Sequence, residues 1–176
     1  MLKRPSFKIA LGGIITALCI ILVFSVGILP LFVFVFPMLS SLLIFILNYE
    51  CGTKTAVVSY VSTSLLSMFL SPDKEAAMVF AAFFGCYPII NVYIGRLKSI
   101  ALRWVIRLCF FNAAMIIGYL ILIKIFTAVT LDDFGKWTAP IMLAVGNAVA
   151  VLYEFALRNV SALYIKKLRK TFFGRK

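Results

Sequence analysis

The chain has 176 residues, 64% of them hydrophobic, with a mean hydropathy of +1.09 and a net charge of +12. A soluble domain is about 45–50% apolar, so this chain carries more apolar surface than one water-soluble core could hide, and lipid is the natural solvent for the excess. The basic residues lie in the gaps between apolar runs and at the C-terminal end. That placement reads as a membrane topology signal and an attraction to anionic lipid, not as a nucleic-acid surface.

An α-helix needs about 20 apolar residues to cross about 30 Å of hydrocarbon. The first such run is about Ile9 to Ile28, ended by Gly27 and Pro30. Met1 to Lys8 imitates the basic start of a signal peptide, but the run has no small-x-small cleavage site, so it predicts a retained span. The second span is Leu31 to about Asn48, with Pro37 inside it. The polar break Asn48 to Lys54 predicts a loop in which Asn48 and Glu50 act as caps.

The third span, about Thr55 to Leu70, carries Ser59, Tyr60, Ser62, Thr63, Ser64 and Ser67. Its hydroxyls suit close helix packing, and they would equally suit a small polar ligand. In the break that follows, Ser71 suits an N-cap, Pro72 the first helical position, and Asp73 and Glu75 the positive helix start. The fourth span is about Ala76 to Ile94, with a kink expected at Pro88. Arg96, Lys98, Arg103 and Arg107 follow, and part of 97–104 is expected to lie along the interface before a fifth span, about Trp104 to Phe126. Thr127 to Trp137, holding Asp132, Asp133 and Lys136, leads to a sixth span, about Thr138 to Leu157, and a basic tail over 158–176. The predicted fold is all-α: one transmembrane domain over 1–176, a six-helix bundle with both termini cytoplasmic.

The orientation comes from counting. With the N-terminus inside, fifteen Lys and Arg fall in inner segments, and only Lys74, Lys124 and Lys136 fall outward. Every inner segment agrees with the positive-inside rule. The expected location is the plasma membrane, multi-pass and bacterial.

Catalytic and metal chemistry find little support. There is no histidine, and Cys19, Cys51, Cys86 and Cys109 form no CxxC, so a zinc-type site is not expected. Ser-His and Cys-His arrangements are excluded, no nucleotide motif occurs, and nothing marks a Ser-Lys pair. The chain reads as a non-enzyme without a cofactor.

Polar groups inside lipid are costly and need partners. Glu154 is the most unusual. Arg158 lies four residues on and Asn147 seven residues back, on one helix face. Glu154 pairs either with Arg158 or with a residue such as Arg107 on another helix, giving either a structural ion pair or a partner-contact or gating site. Asn112, Asn91, Tyr93 and Tyr119 suit interhelical hydrogen bonds. On the outer side, Asp73, Glu75 and Asp132, with Trp137 and Ser67, are candidate ligand-binding residues around an outward pocket. Gly13 to Ala17 is a small-xxx-small pattern that allows close approach of another helix.

Six spans in a short chain, both ends inside, a very short first outer loop and the small-xxx-small start of span one resemble the substrate-binding S components of energy-coupling-factor transporters. The run Leu70 to Ala77, followed by Phe84 to Pro88, also looks like that of small membrane proteins of Gram-positive bacteria. The S-component resemblance implies that Gly13 and Ala17 face a transmembrane coupling subunit. It also implies that an ATPase partner supplies the energy and that an unknown small molecule enters from outside. The other reading is a non-catalytic membrane scaffold or cell-envelope interaction protein, whose basic tail would meet anionic lipid or a cytoplasmic partner.

Overall fold

The structure is a computed structural model, and it describes residues 5–126 and 138–168. Asp132, Asp133, Phe134, Lys136 and Trp137 lie outside the described residues, as do the tail beyond 168 and the side chains of Tyr119 and Lys124. All regular structure among the described residues is helical.

Helix α1 is Pro5–Ser25, and after a short 3-10 turn at Pro30–Phe32 helix α2 is Val35–Cys51. Here the structure corrects the expected loop at Asn48–Lys54. Helix α2 runs through Asn48 and Glu50 to Cys51, and all three residues are buried. Gly52 alone makes the corner, at φ 91° and ψ 167°, a conformation open essentially only to glycine. Helix α3, Thr53–Leu70, starts at once. The buried Glu50 carboxylate accepts a hydrogen bond from the Tyr164 hydroxyl at 3.3 Å, so it does not have to reach solvent and end the helix.

A second correction concerns the cap. Ser71 closes α3, its N–H donating to the Ser67 carbonyl at 2.9 Å, and Asp73 takes the N-cap position of α4, Lys74–Val79. The Asp73 carboxylate accepts from the Ala76 N–H at 3.0 Å, a stronger charged version of the bond that Ser71 would have made.

The interruption of the fourth span is also displaced. A π turn at Phe80–Phe84 separates α4 from α5, Tyr87–Ile94. Pro88 sits in the first turn of α5, where its missing N–H leaves no bond unmade. The Ala81 carbonyl in the π turn accepts from the Tyr60 hydroxyl of α3 at 2.8 Å. The Tyr60 ring lies so close that a Cβ on Gly85 would come within 2.5 Å of it. An aromatic from the neighbouring helix thus satisfies the irregular backbone and packs on the glycine beside it.

Helix α6 begins at Ile100 and runs unbroken to Phe126, so 100–104 is continuous with the rest of that helix. Helix α7, Thr138–Leu163, continues past the expected end at Leu157 and into a π turn at Tyr164–Leu168, which makes Arg158 helical.

Among the described residues, four helical stretches are long and apolar enough to cross a bilayer: Pro5–Ser25, Lys74–Ile94, Ile100–Gly118 and Ala144–Lys166. Helix α2 is apolar but has 17 residues, a rise of about 26 Å, and α3 is diluted by its hydroxyls. The surface is inverted relative to a soluble protein. Ile9, Ile28, Leu31 and Phe69 are at least two-thirds exposed, whereas Ser40, Ser41, Thr63 and Ser67 are fully or almost fully buried. Hydrocarbon on the outside and hydroxyls inside is what a lipid solvent selects.

Helix α1 packs on α2 and α3, and α2 also meets α5 and α7. The core centres on an aromatic cluster. Phe83 and Phe84 from the π turn, Tyr87 from α5, Phe110 and Phe111 from α6 and Tyr153 from α7 contact one another, with ring centroids 4.8–6.0 Å apart. The Tyr153 hydroxyl is hydrogen-bonded to Ser41 of α2.

Candidate functional site

The most polar assembly in the bundle lies just past the aromatic cluster, where α5 ends, α6 begins and α7 approaches its end. The Glu154 carboxylate points from α7 into this junction, and Arg107 of α6 meets it at 2.9 Å. Of the two partners the sequence allowed, the structure selects Arg107. Arg158 lies on the same helix but is exposed. Glu154 instead turns inward, its side chain 6% exposed, toward α5 and α6.

Two residues of α5 complete the network. Tyr87 donates its hydroxyl proton to the second Glu154 oxygen, and the Asn91 amide lies at 3.5 Å from the same oxygen. The Asn91 carbonyl accepts from Arg107 Nε at 3.1 Å and from Nη2 at 2.9 Å. Arg107 also rests 5.7 Å from the Trp104 ring centroid, within cation–π reach. Both carboxylate oxygens thus meet a donor, a condition for keeping an ion pair out of water. Tyr87 and Asn91 are four residues apart on one helix face. That spacing was the available signal for Tyr87, which sequence reading did not single out.

The network borders an open cleft of about 510 Å³ between α5, α6 and α7. Arg103, Arg107, Arg158 and Ser161 line it together with Asn91 and Glu154, and Pro88, Val92, Ile100, Trp104 and Leu157 supply its apolar wall. Its volume is in the range of small-molecule sites, about 300–1,000 Å³. A void of about 10 Å³ behind Arg107 and Glu154 has room for roughly one water.

Farther along α6 and α7, Asn112 and Asn147 exchange amide hydrogen bonds at 3.1 and 3.2 Å. Asn147 and Glu154 are seven residues apart on α7, about 10 Å along the axis, so a polar column extends from the cleft into the bundle. The sequence marked both asparagines; the structure makes them partners.

Of the candidate ligand-binding residues, Asp73, Glu75 and Ser67 lie among the described residues. Asp73 caps α4, Glu75 is exposed in the first turn of that helix, and Lys74 Nζ donates to the Met68 and Phe69 carbonyls that end α3. Ser67 is buried and its hydroxyl has no partner among the described residues. Asp132 and Trp137 lie outside the described residues. Gly13 and Ala17 are exposed on α1, and a Cβ on Gly13 would meet nothing within 4 Å. Among the described residues no group of three His, Cys, Asp or Glu side chains could hold a metal ion. Protein-family models, curated proteins and solved structures gave no match to the chain.

Proposed function

We propose that this chain is a membrane transport subunit of the S-component type. It crosses a bacterial plasma membrane six times with both termini inside, and captures a small molecule from the outer face. The observation that carries the reading is the Arg107–Glu154 pair. It is buried between three helices, held by Tyr87 and Asn91, and flanked by an open cleft. Ionisable residues within membrane helices are costly and mark ligand or ion pathways. With the basic segments inside, the cleft opens on the cytosolic side, where a molecule captured from outside would leave the bundle past the ion pair. A ligand held differently in two states would shift the helices around this pair. The chain has no nucleotide motif, so the energy comes from an ATPase partner. Its coupling subunit docks on the exposed Gly13 and Ala17 face of α1.

A scaffold role is the second reading, and one observation favours it. Asp73 and Lys74 are occupied in closing helix ends, which leaves the outer rim fewer free charges for a ligand. Purification in mild detergent followed by mass spectrometry separates the two. Transport predicts a co-purifying ATPase complex and a bound small molecule; recovery of neither would leave the scaffold.

A further inference from the structure

The cleft is electrically unbalanced. Three guanidiniums, those of Arg103, Arg107 and Arg158, face the single carboxylate of Glu154. Arg107 is committed to that carboxylate and to Asn91. Arg103 and Arg158 meet no carboxylate among the described residues. The Arg103 Nε is buried and has no hydrogen-bond acceptor among the described residues. A charged donor shut away from water is costly unless an acceptor arrives, so the cleft is built to receive anionic oxygens.

The rest of the wall selects the kind of anion. Pro88, Val92, Ile100 and Leu157 are hydrocarbon, and at the mouth Ile100 is 68% exposed. A free phosphate ion would gain nothing from that wall. A phosphate joined to hydrocarbon would use both parts: the arginine forks for its oxygens and the apolar side for its chain. Basic pockets between membrane helices on the cytoplasmic side hold such headgroups. About 510 Å³ is room for a headgroup, its glycerol and the first methylenes of a chain.

We propose that this cleft is a binding site for an anionic phospholipid, with its phosphate between Arg103 and Arg158 and its upper acyl chain along Val92 and Ile100. The inference does not rest on transport, since a scaffold subunit would carry the same site.

Trp104 lines the cleft and reports on it. Trp137→Phe leaves Trp104 as the one tryptophan, because the sequence has 2. The full chain is reconstituted in phosphatidylcholine vesicles containing either brominated phosphatidylglycerol or brominated phosphatidylcholine. Phosphatidylglycerol is expected to quench Trp104 at about tenfold lower mole fraction. Arg103→Gln with Arg158→Gln should abolish that preference, and Arg158→Gln alone, at an exposed position, should weaken it without disturbing the fold. Lys54→Gln with Lys166→Gln removes equal charge at two exposed positions that do not line the cleft and should leave the preference in place. Equal quenching by the two lipids would overturn the proposal. So would a preference that survives the arginine substitutions, or one lost equally with the lysine pair. Displacement of phosphatidylglycerol by millimolar inorganic phosphate would assign the site to a soluble anion and overturn the lipid.

Discussion

The Arg107 guanidinium on α6 and the Glu154 carboxylate on α7 stand 2.9 Å apart, and α5 holds both, Tyr87 on the carboxylate and Asn91 bridging to the arginine. The two halves of the pair are not equally replaceable. Glu154 is 6% exposed, whereas Arg107 is 17% exposed and has a long stem that can carry its charge toward the cleft. Removing Arg107 strands a carboxylate; removing the Glu154 charge leaves a cation with a way out.

Arg107→Ala should therefore destabilise the bundle by about 3–5 kcal/mol, and Glu154→Gln should cost clearly less because its amide keeps Tyr87 and Asn91 as neighbours. The double variant Arg107→Met with Glu154→Leu should recover much of the loss. Thermal unfolding in detergent measures all three, and equal costs for the two single variants would contradict the asymmetry.

Tyr153 separates packing from hydrogen bonding. It is 1% exposed among Phe83, Phe84 and Tyr87, and its hydroxyl meets Ser41. Tyr153→Phe should cost about 1 kcal/mol or less, the usual worth of a hydrogen bond between membrane helices. Tyr153→Ala should cost about 3–5 kcal/mol, because it empties the centre of the cluster. Similar costs for the two would show that the hydroxyl, not the ring, holds α2 to α7.

The long apolar helices were legible because their period-free hydrophobic runs exceed the bilayer thickness, and that signal is local. Several misplaced features depend on groups distant in sequence. Glu50 reads as a loop cap until Tyr164, 114 residues away, is seen to satisfy it inside a helix. Helical spacing points Glu154 toward Arg158, while the partner that wins lies on α6, where Asn91 has already fixed it in place. Pro88 suggested the kink, but the interruption falls earlier, at the π turn against which the Tyr60 side chain packs. The cleft was illegible for the same reason: it exists only where three helices diverge.

Two glycines carry different constraints. At Gly52 an alanine would have to adopt φ 91°, so Gly52→Ala should cost about 1–3 kcal/mol through backbone strain. At Gly85 the backbone is ordinary, but an added methyl would meet the Tyr60 ring at 2.5 Å. Gly85→Ala should cost about 1–3 kcal/mol by overpacking, and Tyr60→Leu should recover part of that. Failure of Tyr60→Leu to rescue Gly85→Ala, in detergent melts, would show that the ring is not the obstacle.

Gly13 gives the contrasting result. A Cβ there meets nothing within 4 Å and Ala17 is exposed, so Gly13→Leu and Ala17→Leu should leave the melting temperature of the isolated chain unchanged. In cells the same variants should lose the co-purifying coupling subunit. Retained assembly would remove α1 as the docking face.

In the proposed membrane orientation the arginine-lined cleft opens to the cytosol. Ser161 lines that cleft, and Ser161→Cys puts a thiol there. Labelling with a membrane-impermeant maleimide, measured against the unsubstituted protein, should occur in inside-out vesicles and not in intact cells. Labelling from the external face of intact cells would contradict the account.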